Sequence, residues 1–555
     1  MLTQFGLEQH LVTRFGTGVT ILTFFTILFF TACSQPPAIE EVSGPVEEGP
    51  ESTTEPAAEE PRIFVMTNLF DPDPLDPAKS WTTVGYTFHR NVYDPLVTYK
   101  LGTAEVEPAL ATSWAANDDY TEWTFTLREG VPFQSGDDTV DAEDVVVSFN
   151  RVLEINQNQP GAILQGKLDS VEAVDAMTVR FKLNTPYVLF PAVLPKIGIV
   201  SAADVTAHEV DGDLAQAWFA ENANGTGPYR LIENIRGEYY KLERFTDWWH
   251  KDAFQPTAYD TIIVRAIEDS AVQRQLIERG DSCLGSWIAY RDMVEAAADS
   301  PVKLISGNSY LTLELIVSAA KPPMDNLLVR QAMVLAFPYE QFQNFYQGYS
   351  EIPHNLLSHH YPGADQSYEP LQQDLDRAKA LLAEAGYPDG GFTLTMTAVE
   401  GLEDERQAAL LYQDALAQIG VTLEVQVLPF SVYFEQGQDP DTAATFNPQH
   451  EAPETADPFQ WFDKVFGSAG LLNWTYQDVS AMDDLIDQGQ SEPDEAARLA
   501  LLHEAQQLAT DNVYAFPIAN LVALDAVCNN TEGLVYQPTD LMYVPQFWPL
   551  YQVDE

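Results

Sequence analysis

A chain of 555 residues cannot close around one hydrophobic core, because cores stop growing at roughly 250–300 residues. Two or three lobes are therefore expected, with room for discontinuous ones. A hydrophobic share of 45% and an aromatic share of 11% give those lobes enough core material to exclude a disordered chain. The charge is lopsided, with 83 acidic side chains against 28 basic ones and a net charge of -55. Such a surface repels phosphate backbones, which argues against nucleic-acid binding. It also repels anionic headgroups, so membrane attachment needs a separate device. The acidic excess reads as a solubility surface, or as adaptation to a salty or acidic habitat.

The first sixty residues supply the device. Arg14 precedes an uncharged, mostly apolar run from Phe15 to Ala32, which ends in Phe30-Thr31-Ala32-Cys33. At about 18 residues the run is borderline for a membrane span. Small residues just before a cysteine mark a processed signal rather than a stop-transfer helix. The pattern resembles a bacterial lipobox, in which the cysteine, here Cys33, becomes the lipidated first residue of the mature protein. An uncleaved N-terminal anchor is the alternative, and both readings put the body outside the cytoplasm. Residues 34–61 are rich in Pro, Glu, Ser and Thr. They lack the bulky apolar residues that offset folding entropy, so a flexible, self-repelling tether is expected. Cys283 and Cys528 are available for one disulfide in an oxidising compartment, or remain free thiols.

Folding signals start at Arg62. Ile63-Phe64-Val65 reads as a strand and leads into the proline-forced loop Asp71-Pro72-Asp73-Pro74-Leu75-Asp76-Pro77. Trp123, Phe125 and Leu127 alternate with Thr124, Thr126 and Arg128, and Val179, Phe181 and Leu183 repeat the period of a half-buried strand. Between them Asp141 is the expected N-cap of a helix, with Asp144 at its positive end and Ala142, Val145, Val146, Phe149 and Leu153 on one face. Asp374 or Asp376 opens a helix through Ala378, Leu381, Leu382 and Ala385, which Gly386 and Pro388 stop. A further helix carries Ala409, Tyr412 and Leu416, and another Ala497, Leu501, Ala505 and Leu508. Leu423, Val425 and Val427 alternate as a strand. Helices interleaved with strands imply α/β lobes with covered sheets.

Several motifs keep one order along the chain. Glu107-Pro108-Ala109-Leu110-Ala111-Thr112-Ser113-Trp114 is followed by Trp123 to Phe133, Gly136, Asp141 to Val145, and Ser148-Phe149. Gly225-Thr226-Gly227-Pro228-Tyr229, Trp248-Trp249, Glu278-Arg279-Gly280-Asp281, Val329-Arg330-Gln331-Ala332, Ala456-Asp457-Pro458 and Asn473-Trp474-Thr475-Tyr476 come after it. Together they resemble extracellular solute-binding protein family 5, the peptide/nickel-type substrate-binding lipoproteins of ABC importers, over roughly residues 62–550. The resemblance implies a bilobal α/β fold of periplasmic-binding-protein type (class C-like, type II), with an extra sub-domain inserted in lobe I. The implied boundaries are 1–33 for the signal, 34–61 for the tether, 62–105 and 195–283 for lobe I, 106–194 for the sub-domain, 284–518 for lobe II, and 519–555 for the return to lobe I. It also implies capture of a small solute by hinge closure and delivery to permease subunits, by a monomer without cofactor.

The same resemblance suggests site residues. Glu454 stands three positions before Asp457, where peptide-binding relatives carry an acid for the ligand's α-amine. A solvated loop acid is the plainer reading of Glu454. Asp457 of the Asp-Pro pair is a ligand-binding candidate with it; Tyr86 lies where relatives line the cleft, and Trp461 and Trp474 are candidate pocket walls, although core packing accounts for Tyr86 and both tryptophans. Arg330 reads as structural. His359-His360 is the only paired histidine, with His354 nearby, and no ligand spacing accompanies it, so no metal site is expected. No GxSxG elbow or P-loop occurs, which leaves an enzyme without a nucleophile or phosphate cradle. A short peptide is the expected ligand. The alternatives are an oligosaccharide, a metal complex, or a sensory role in which the ligand is presented to a membrane kinase.

Overall fold

Three larger sheets organise the chain, and each has its own core. The computed structural model describes residues 60–69, 75–79, 83–155, 159–286, 288–299, 301–453, 455–540 and 544–553. The signal, the tether, Cys33 and Glu454 lie outside the described residues. No described helix is long and apolar enough to cross a membrane.

The first sheet runs Leu284–Gly285, Ile63–Asn68, Thr261–Ala266, Tyr239–Arg244, Tyr229–Ile235. Ile63–Asn68 lies parallel to both of its neighbours and is buried from Met66 to Asn68, as expected of a parallel strand covered on both faces. Its core takes Phe64, Phe88, Tyr229, Ile262 and Leu284 together with Phe547 and Leu550, so the last segment returns to the first strand.

The second sheet is antiparallel, in the order Ala111–Ala116, Glu122–Leu127, Thr178–Leu183, Leu168–Asp175. The expected alternation holds: Trp123, Phe125, Leu127, Val179, Phe181 and Leu183 are all buried. The helix Ala142–Ile155 crosses it and is started by a reciprocal cap. Asp141 Oδ1 accepts from the amides of Glu143 and Asp144, and Asp144 Oδ2 accepts from the amide of Asp141. Gly130 and Gly136 adopt the positive φ values of 70° and 78° that their turns require.

The third sheet has the order Ser350–Glu351, Ala515–Leu521, Thr312–Val317, Phe446–Glu451, Thr393–Val399, Thr422–Leu428. Thr312–Val317, in its interior, is buried at every position. Asp374, not Asp376, caps the helix Leu375–Glu384, through the amide of Arg377. Two patterns depart from expectation. Thr422–Leu428 is an edge strand, so Leu423 is buried while Val427 is 52% exposed. The helix Glu495–Asn512 buries Leu502, Ala505, Gln506 and Ala509 instead of the stripe through Leu501 and Leu508. Gln506 enters the core because it is satisfied there: its Oε1 accepts from the amide of Asp365 at 3.0 Å and its Nε2 donates to the carbonyl of Gly363 at 3.2 Å.

The first and third sheets are joined by the antiparallel pair Val302–Gly307 and Ala523–Cys528. Cys283 and Cys528 form a disulfide at its base, closing a sequence separation of 245 residues. Replacing both by serine removes a constraint that disfavours the unfolded chain. The variant is expected to lose roughly 2–5 kcal/mol of stability, read as a lower urea midpoint. A midpoint equal to that of the parent chain contradicts the role assigned to the bond.

Candidate ligand-binding site

The helix Thr83–Val92 is placed by the GTGPY turn. A Cβ on Gly225 would stand 2.0 Å from the Val92 carbonyl oxygen, so only glycine permits the approach. Gly227 donates its amide to the same carbonyl at 2.9 Å. Gln134 Nε2 lies 2.7–3.1 Å from the carbonyls of Val92, Gly227 and Tyr229, tying the second sheet's turn to this junction. Thr226 Oγ1 and the indoles of Trp248 and Trp249 donate to Asp94 Oδ2. Burial pushes the Asp94 carboxyl up to about 6 against these stabilising bonds.

The helix so placed presents Tyr86, His89 and Arg90 to a cavity of about 280 Å³. Tyr99, Lys196, Trp249 and Asp540 complete much of its wall. Arg90 Nη1 and Lys196 Nζ both pair with Asp540, the lysine at 2.7 Å. These side chains are 16% (Arg90), 7% (Lys196) and 4% (Asp540) exposed, so two cations share one buried carboxylate. Lys196 Nζ also sits 5.2 Å from the centre of the Tyr86 ring. Removing any one partner of such a buried cluster would leave an uncompensated charge, which is costly. A smaller pocket of about 30 Å³ adjoins, sharing Asp540 and Val544 and reaching Asn308, Ser309 and Asp525 on the crossing strands' side.

The second and third sheets meet beside this cavity. Tyr99 Oη donates to the carbonyl of Ala192 and accepts from the amide of Ala456 at 2.9 Å. Tyr187 Oη donates to Asp457 Oδ2 at 2.7 Å, Lys167 pairs with Asp463 at 2.6 Å, and Val188 donates its amide to the Gln490 carbonyl at 2.9 Å. These contacts hold the seam shut across chain segments nearly 300 residues apart.

The structure separates the residues singled out from sequence. Tyr86 lines the cavity. Asp457 is fully buried at the seam and caps the helix Pro458–Phe466 through the amide of Phe459. Both its oxygens are engaged, and burial raises its carboxyl despite the bond from Tyr187. Trp461 packs against Phe462 and Phe466, and Trp474 against Tyr433 and Phe434 over Gly437. Neither tryptophan is part of the cavity wall. Arg330 is buried and donates to the carbonyls of Asn512, Met324 and Asp325. Arg90, Tyr99, Tyr187, Lys196 and Asp540 escaped sequence reasoning, because no local spacing connects them. The scarcity of basic residues in an acidic chain was the one signal pointing to Arg90 and Lys196.

Covered sheets, a double crossing between them and a cavity of solute size walled by the bodies of the first and second sheets are the layout of a bilobal solute-binding protein. The chain belongs to the bacterial extracellular solute-binding proteins, family 5, whose middle region is matched by residues 105–470. It is 25% identical to the dipeptide-binding protein of Escherichia coli (strain K12) over 480 residues, covering 80% of this chain and 87% of that one. It is 26% identical to the heme-binding protein A of Haemophilus influenzae over 482 residues, 81% of this chain and 85% of that one. The structure of DppA from Helicobacter pylori in complex with the peptide STSA superposes with a TM-score of 0.77 at 25% identity, over 88% of this chain and 98% of that one. The expected fold class holds. The protein is the extracytoplasmic substrate-binding component of an ABC transporter and not an enzyme.

One carboxyl beside the site sets a pH dependence. Asp525 is 3% exposed, and burial pushes it up to about 7 while the Tyr536 hydroxyl opposes the shift. In the unfolded chain the same group titrates near 4. Ionising it therefore disfavours the folded state, and stability falls as pH rises from about 4 to about 7 and stays lower above that. Asp525→Asn is expected to flatten this part of the curve, raising the melting temperature at pH 8 relative to the parent more than at pH 5. An equal difference at both values contradicts the assignment.

Proposed function

We propose that the protein captures a short peptide between two lobes and hands it to membrane permease subunits, while a lipid on Cys33 holds it at the outer face of the membrane. Lobe I is taken as residues 62–105, 195–283 and 519–555, the inserted sub-domain as 106–194, and lobe II as 284–518. The observation that carries the reading is the paired charge on the lobe I side: Arg90 and Lys196 on Asp540, beside the aromatic ring of Tyr86, in a cavity walled by lobe I and the inserted sub-domain. A wall that offers cations, a carboxylate and an aromatic face suits a zwitterion with a side chain. The names of several relatives support it, since they bind dipeptides or di- and tripeptides. Glu454 is proposed as the anchor of the ligand's amine, three residues from the seam carboxylate Asp457. The closed state gains from a ligand that touches both lobes, because no other state offers both sets of contacts.

A flat solute is the second reading, favoured by the indoles of Trp248, Trp249 and Trp548 along the same cavity and by the heme-binding relative. Ligand released from the purified protein by denaturation and identified by mass spectrometry separates the two. Short peptides are expected, and a macrocycle, a sugar or a metal complex overturns the peptide reading. With the identified peptide, Glu454→Ala is expected to weaken binding at least about tenfold, or roughly 1.4 kcal/mol, in a calorimetric titration. Unchanged affinity removes Glu454 from the site. Cys33→Ala is expected to move the protein from the membrane fraction to the soluble one if the signal is still cleaved, or to leave it as an unlipidated precursor. Normal lipid labelling of that variant contradicts the anchor.

A further inference from the structure

His354, His359 and His360 are three of only nine histidines, and the fold brings them an acid that no sequence spacing marks. Glu351 lies on the edge strand Ser350–Glu351, opposite Asn520 of Ala515–Leu521. The following loop folds back over it. His359 Nε2 comes to 2.7 Å and His360 Nε2 to 3.4 Å from Glu351 Oε2. The two imidazole centres are 4.0 Å apart, and one ligand atom from each of the three residues lies within 4.8 Å of the others. A tetrahedral cation at about 2.0–2.2 Å from its nitrogen and oxygen donors holds them roughly 3.3 Å apart. The distances to Glu351 straddle that value.

The surroundings favour ligation over a plain ion pair. Two imidazoles converge on one carboxylate oxygen, so full protonation of both rings would set like charges 4.0 Å apart. Burial and the neighbouring His360 hold His359 below the ordinary histidine value. The His359 ring is oriented from behind. Asn520, 2% exposed, lies 3.3 Å from Nδ1 and is itself held by Thr312 Oγ1 at 3.1 Å. With the amide so placed Nδ1 accepts from Asn520 Nδ2; turning the amide over, with the Thr312 hydroxyl then accepting, gives an Nδ1–H the acceptor that a histidine ligating through Nε2 needs. His354 Nδ1 donates to the Tyr368 carbonyl at 2.7 Å, and its ring lies 5.7 Å from that of His359.

We propose that Glu351, His359 and His360 form a binding site for a first-row divalent cation, with zinc the closest fit. Three protein donors leave one tetrahedral position open, for solvent or for a donor atom of a bound solute. The next residue, Tyr361, is buried against Tyr310. The expectation of no metal there came from spacing within the histidine stretch, and Glu351 enters only through the return of the loop.

The test uses the purified full chain, stripped with a chelator and titrated with zinc chloride by calorimetry. An equivalent of zinc bound with a micromolar or tighter dissociation constant is expected, together with a raised melting temperature. The double variant His359→Ala/His360→Ala is expected to lose that equivalent. Glu351→Gln, which keeps the size of a half-exposed side chain and removes its charge, is expected to weaken it at least about tenfold. Zinc-edge absorption spectra are expected to show imidazole scattering in the parent chain and not in the double variant. Absence of zinc binding at 100 µM, about a hundredfold above a micromolar dissociation constant, or equal binding in parent and both variants, overturns the site.

Discussion

Two strands carry the chain from one sheet system to the other and back, and the seam exists because they do. Val302–Gly307 and Ala523–Cys528 pair over six positions, and the Cys283–Cys528 disulfide fastens the outgoing passage to the returning one. A connection this narrow leaves the bodies on either side free to build separate cores, and the cores are separate: one holds Phe64 with Phe547, another Thr312–Val317 and its helices. The interior of the protein is therefore divided by construction, and the cavity lined by Tyr86, Arg90 and Lys196 lies on the side of the first and second sheets.

Charge is arranged around that division in a way the overall composition hides. With 28 basic side chains against 83 acids, acids outnumber the cations that could pair with them about three to one. Arg90 and Lys196 are instead nearly buried and share Asp540, and Lys167 pairs with the partly exposed Asp463 where the second and third sheets meet. Low local dielectric makes such groups sensitive to one another and to anything that enters beside them. The same environment raises Asp94, Asp457 and Asp525 above ordinary carboxylate values, chiefly by desolvation. A solute that brings its own charges into this cavity meets preset partners rather than bulk solvent.

Much of the fold was legible because it rests on local periodicity and local caps. The alternation at Trp123, Phe125 and Leu127, the cap at Asp141 and the stop at Gly386 each involve residues within a few positions of one another. Where expectation slipped, a long-range partner decided. Val427 is exposed because no strand lies beyond it, and Gln506 is buried because Gly363 and Asp365 satisfy it from another segment. The site was legible only in part. Tyr86 lines the cavity, and Asp457 sits at the seam as a helix cap bonded to Tyr187. Trp461 and Trp474, chosen for their aromatic character, serve the core.

The sequence alone determined the class of chain: too long for one core, acidic, with alternating helix and strand periods and an ordered set of motifs that place it in its family. Those features are local or additive, so they survive without coordinates. Tertiary structure alone decided which charges meet. Arg90 with Asp540, Tyr187 with Asp457, and Glu351 with His359 are pairs in which contact depends on the path of the chain between the partners, and spacing along a sequence carries no record of that path.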